Sequence, residues 1–116
     1  VNIASAWDAG SAIKLQVDSP YQTAFVGETI PFVVSIPTAD FAVGETITVT
    51  TAITGVSGEP TIAAPAGFNL TVGDNSHTIN LTVPSGAKFK GKWEIVFTAT
   101  DGATRSGKLK AVLISK

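Results

Sequence analysis

The chain has 116 residues, no cysteine, one histidine and a formal net charge of −1. That length suits a single domain burying about two thirds of its unfolded surface, and the lack of cysteine excludes disulfides, thiol redox chemistry and cysteine-based zinc sites. No apolar run approaches the roughly 20 residues of a membrane helix, so membrane insertion is not expected.

Helix signals are sparse, because Thr, Val, Ile, Gly and Pro dominate and apolar residues recur at every second place. Residues 1–12, VNIASAWDAGSA, precede the first clear strand and carry Val1, Ile3 and Trp7 on one alternating face. Such an arm either closes its own sheet or adds a strand to a neighbour. No basic, apolar leader pattern opens the chain, which reads as a mature or excised form.

Ile13, Leu15 and Val17 form a first expected strand, ending at the turn-former pair Ser19-Pro20. Ile30, Phe32, Val34 and Ile36 form the next, with Pro31 placed where a missing N–H is tolerated, at a sheet margin. Ile47, Val49, Thr51 and Ile53 follow, closed by Gly55 and Gly58. The string VGETI stands before both of these strands, at Val26–Ile30 and Val43–Ile47. It reads as one strand-entry device used twice, with glycine for the bend, an exposed glutamate, and valine and isoleucine anchored in the core.

FNLTVG at 68–73 and INLTVP at 79–84 flank the turn sequence Gly73-Asp74-Asn75 and are expected to pair as a hairpin with Asn and Thr outward. The same strings hold two glycosylation sequons, at Asn69 and Asn80. Trp93, Ile95, Phe97 and Ala99 then alternate cleanly, and after Asp101-Gly102 a last strand centres on Leu109, Ala111 and Leu113. About seven or eight short strands spaced by turn signals argue for an antiparallel sandwich or barrel.

Chemistry-bearing constellations are missing from this pattern. His77 is alone in a polar turn, no glycine run has phosphate-binding spacing, and the scattered carboxylates have neither calcium-loop spacing nor an evident catalytic pairing. No cofactor is expected, and no enzyme. Charge is the asymmetric feature: residues 88–116 carry Lys88, Lys90, Lys92, Arg105, Lys108, Lys110 and Lys116 against Glu94 and Asp101, net +5, whereas residues 1–87 are net −6. In KFKGKW, residues 88–93, lysines interleave with aromatics; a strand with aromatics inward and lysines outward accounts for this better than a nucleic-acid groove.

The run NLTVPSGAKFKGKWEIVFTATDGATRSGKLKAVLI resembles the last three strands of bacterial, archaeal and phage immunoglobulin-like domains, with V-P-x-G, a G-x-aromatic-x-I strand, A-T-D-G and a closing strand. SPYQTAFVGETIPFVVSI is similar to their opening, though the cysteine pair of antibody domains is missing. The resemblance implies an all-β, antiparallel immunoglobulin-like β-sandwich over residues 13–116 behind an arm of residues 1–12. Such domains serve as spacers, adhesins, virion decoration or tail proteins, and accessory modules of glycoside hydrolases.

The function expected is therefore a non-enzymatic structural or adhesive module of an extracellular assembly on a virion or cell surface. Its partner would be a protein, either copies of itself or a scaffold such as a capsid or appendage. Val1, Ile3, Trp7, Lys88, Lys90, Lys92, Lys108 and Lys110 are the candidate contact residues. The alternative is a carbohydrate-binding accessory module that stacks sugars on Trp7, Tyr21 or Trp93.

Overall fold

A computed structural model of the chain describes residues 13–36, 46–71, 76–102 and 105–116. They form eight strands: β1 (Gln16–Asp18), β2 (Tyr21–Ala24), β3 (Thr29–Ser35), β4 (Thr46–Gly55), β5 (Phe68–Thr71), β6 (Ser76–Thr82), β7 (Lys92–Thr100) and β8 (Ser106–Ser115). Two sheets result, a three-stranded one in the order β1-β3-β6 and a five-stranded one in the order β2-β8-β7-β4-β5. The chain is an all-β sandwich.

Alternation decides which side chains fill it. From the small sheet Phe32, Val34, Ile79 and Leu81 point inward, and from the large one Ile47, Val49, Leu70, Trp93, Ile95, Phe97, Ala111 and Leu113 meet them. Each such side chain contributes about 1.5–3 kcal/mol on burial, which is why period two is so strict in β3, β4 and β7. Thr51 breaks the series on β4. Its Oγ1 is buried without a hydrogen-bond partner among the described residues, so Thr51→Val should raise the unfolding free energy by about 1 kcal/mol, read from the urea midpoint.

Three expectations are corrected. Not every pair is antiparallel: β2 lies parallel to β8, Tyr21 opposite Val112 and Ala24 opposite Ser115. The cause is local. At Ser19, whose φ is 53°, and Pro20 the chain steps from one sheet to the other without reversing, so β1 and β2 keep one direction. Second, the two NLTV strands are not a hairpin. β5 pairs with β4 and β6 with β3, so residues 68–71 and 76–82 lie in different sheets with their apolar sides toward one core. Their outward polar side chains bond to these other partners, Thr48 Oγ1 donating to Asn69 Oδ1 at 3.0 Å and Thr82 sharing a 2.7 Å hydroxyl contact with Thr29.

The third concerns VGETI. Gly27 has a φ of 85°, and Glu28 closes its own turn, with Oε1 accepting from the Phe25 N–H at 2.8 Å and its N–H donating to the Phe25 carbonyl at 3.0 Å. Val26, however, is exposed rather than anchored, because the ladder of β3 begins only at Thr29. Of the second copy, Thr46 and Ile47 open β4, while Val43, Gly44 and Glu45 lie outside the described residues.

Candidate protein-contact surface

The long β8 sets a polarity for the sandwich. At its start the Ser106 carbonyl accepts from the Ile13 N–H at 2.9 Å, and at its end the Lys116 N–H donates to the Ala24 carbonyl at 2.9 Å. Ten residues of strand separate these points by roughly 30 Å. The pole at the end of β8 also holds the turn 25–28, residues 56–60 and the segment 83–91, joined through reciprocal bonds of Val83 with Gly27 and Glu28.

KFKGKW takes a different form here from the strand expected of it. Ala87 donates to the Pro84 carbonyl and Gly91 to the Lys88 carbonyl, which makes two turns in succession, and β7 starts only at Lys92. Buried Ser115 holds the second turn: its N–H donates to the Gly91 carbonyl at 2.8 Å, its carbonyl accepts from the Lys90 N–H at 2.9 Å, and its hydroxyl bonds the Lys88 carbonyl. Glu59 Oε1 accepts from the Lys88 N–H at 3.1 Å. Strand alternation does not reach residue 89, so Phe89 points out while Trp93 points in.

The pole is consequently apolar and basic at once. Phe89 is 77% exposed, Phe25 61% and Val26 48%, and Tyr21 at the start of β2 is 65% exposed. Lys90 Nζ lies 5.5 Å from the Phe89 ring centre and Lys116 Nζ 5.0 Å from that of Phe25, distances at which a cation is attracted by the ring face. Val26 and Phe89 were not among the sequence candidates, and Phe25 was one only as an aromatic that could stack on a sugar. The back-to-back turns PSGA and KFKG carried the only available signal for Phe89.

The other candidates are dispersed. Lys88 and Lys90 sit in the pole turn. Lys92 and Lys110 both approach Glu94, at 3.7 Å each, on the outer face of the large sheet, and Lys108 stands opposite Thr98 farther along β8. Seven like charges therefore do not make one patch. Val1, Ile3 and Trp7 lie outside the described residues. Asn69 and Asn80 are exposed, one on each sheet. Trp93 is fully buried, with its indole N–H donating to the Pro60 carbonyl at 2.8 Å, so it offers no face to a sugar ring. His77 stacks on Phe68 with ring centres 4.1 Å apart. Among the described residues no three His, Cys, Asp or Glu side chains gather as a metal site.

No protein-family model matches the chain, and comparison with curated protein sequences finds no match. Solved structures are similar in fold. A superoxide reductase (neelaredoxin) from Ignicoccus hospitalis superposes with a TM-score of 0.63 at 8% identity, over 97% of this chain and 88% of that one. A family 123 glycoside hydrolase from Clostridium perfringens, described for glycolipid glycan hydrolysis, gives 0.61 at 12% identity over 90% of this chain. The chain spans about a quarter of that enzyme's length, 27%. A PapD-like domain of human CEP192 gives 0.54 at 11% identity, over 90% of this chain and 84% of that domain. At these identities the likeness is one of architecture.

Proposed function

We propose that the chain is an immunoglobulin-like, non-enzymatic module that makes protein–protein contacts within an extracellular assembly, a virion surface or cell-surface appendage, using the arm of residues 1–12 as connector. Three things support the immunoglobulin-like part. They are the strand order β1-β3-β6 over β2-β8-β7-β4-β5, the crossing of β1 into β2 between sheets, and the likeness to a PapD-like domain.

The observation that carries the assembly reading is the two-ended layout. Ile13, the first described residue after the arm, is fixed at one pole, while the opposite pole presents Phe25, Val26 and Phe89 among lysines. A monomer exposing that cluster leaves apolar surface in water that a partner would cover. Contacts made at opposite ends are heterologous and propagate from unit to unit.

Removal of residues 1–12 tests the proposal. The shortened chain should keep its strand circular dichroism and cooperative melting, and should lose the self-association or scaffold binding of the intact chain in sedimentation velocity. A folded, shortened chain that associates as before refutes the arm as connector.

A further inference from the structure

The small sheet ends in β1 on one side and in β6 on the other, and nothing described covers the β6 edge. Its strand β6 pairs only with β3, and the direction of its remaining backbone groups follows from three observations. The Val83 N–H donates to the Glu28 carbonyl, so the ladder between these strands runs through even residues of one and odd residues of the other. The Thr29 and Thr82 hydroxyls meet at 2.7 Å, as side chains do in the closer, non-hydrogen-bonded pairs. The Pro31 carbonyl accepts from Gln22 Nε2 on the side away from β6, where the proline's missing N–H also costs nothing.

The N–H and C=O groups of Ser76, Thr78, Asn80 and Thr82 therefore all point away from the sheet. Natural edges of this kind are blunted by lysine, proline, a bulge or brevity. This one is seven residues long, SHTINLT, with no lysine, acid, glycine or proline, and it lies in full register with β3. Its inward Ile79 and Leu81 belong to the core, and an added strand would extend the same inward face.

We infer that the β6 edge is the acceptor for a strand of residues 1–7, VNIASAW, donated by the arm of a second copy of this chain. The inference rests on the arm being the connector. Residues 1–7 are uncharged and equal β6 in length, and Val1, Ile3 and Trp7 would continue the inward apolar row. The donor comes from another copy because of the topology around Ile13. Ile13 is fixed at the β8 start, and β1, which follows it, is the opposite edge of the small sheet. From there the far side of its own β6 lies across the width of the small sheet, beyond β1 and β3, whereas a second copy can bring its β6 edge to the arm directly. Main-chain bonds would supply affinity and the alternate apolar side chains specificity.

Hydrogen exchange on the full chain across a concentration series tests this. The amides of Ser76, Thr78, Asn80 and Thr82 should become protected in step with oligomer formation seen by sedimentation. Thr78→Pro removes one outward N–H without touching the β3 ladder and should raise the association midpoint about tenfold or more while melting is retained. If that variant unfolds, the exchange series on the unaltered chain still decides. Three results overturn the inference. Oligomers whose four amides stay unprotected would leave the arm as connector but move its acceptor elsewhere. Protection that persists in dilute monomer would mean the edge is filled from within. No association up to about millimolar concentration would remove both the acceptor and the connector.

Discussion

Trp93→Ala should cost about 3–5 kcal/mol, the largest single loss available in this core. Trp93 is the largest fully buried side chain among the described residues, on β7 between Gly55 of β4 and Leu113 of β8. Its indole N–H also reaches 2.8 Å to the Pro60 carbonyl. That bond fastens the segment between β4 and β5, which runs without pairing to any strand and sends Ile62 into the core. Truncation therefore opens a cavity, leaves a carbonyl without its donor and loosens the only tie between that segment and β7 among the bonds described. Trp93→Phe separates these effects: most apolar volume is kept, and a loss of about 1–2 kcal/mol should remain for the hydrogen bond. Since a domain of this size has about 5–15 kcal/mol in all, the alanine variant should show a sharply lowered urea midpoint. An alanine variant within 1 kcal/mol of the parent would mean that the indole is not the core element described; that margin is about the spread of an ordinary substitution.

Strands buried on one side were legible in the sequence, and their pairing was not. β7 shows four inward apolar residues at period two, β3 three with Ile36 just past its end, and β4 three with Thr51 among them, because a slip of one place would turn every one of them to water. The NLTV strands show the same pattern, yet pattern alone does not say which neighbour a strand joins. Each presents the same inward face whether it bonds its sequence neighbour or a distant strand, and here Thr48 and Thr29 supply the distant partners. β2 escaped notice for a different reason. In YQTA only Ala24 is fully buried, so the stretch has no apolar series, and its place is set by the bond from the Val112 N–H to the Pro20 carbonyl.

The contact surface was less legible than the core. Phe25-Val26 looks like the onset of an inward row, since nothing local tells a reader that the turn through Gly27 lies outside the ladder. Phe89 follows the parity of Trp93 in the sequence, and the turn at Lys90, with a φ of 61°, breaks that parity. Charge misled in the opposite direction. The lysines are close in sequence, but two strand directions and a turn divide them between a pole and a sheet face, where Glu94 offsets Lys92 and Lys110. The edge of β6 needed pairing partners and bond directions, and these come only from long-range geometry.

Gly107→Ala should detach the root of the arm. An added Cβ would stand 2.0 Å from the Ile13 carbonyl oxygen and 2.9 Å from its carbonyl carbon, and both are backbone atoms that cannot swing aside. Relief requires Ile13 to lift off β8. That breaks its bond to Ser106 and brings a buried isoleucine into water, for a total of about 2–4 kcal/mol. Non-additivity makes the mechanism checkable: Ile13→Ala alone should cost about 2–5 kcal/mol, but much less when added to Gly107→Ala, because the side chain it removes has already left the core. Additive losses from the two substitutions, measured by urea unfolding, would contradict displacement of Ile13. The same variant bears on assembly. If the arm is launched from a fixed Ile13 toward a second copy, Gly107→Ala should weaken association even under conditions where the sandwich is fully folded, since a loosened root leaves the arm less pre-organised and raises the entropy cost of docking it. Unchanged association of the folded variant would show that the fixed root has no part in presenting the arm.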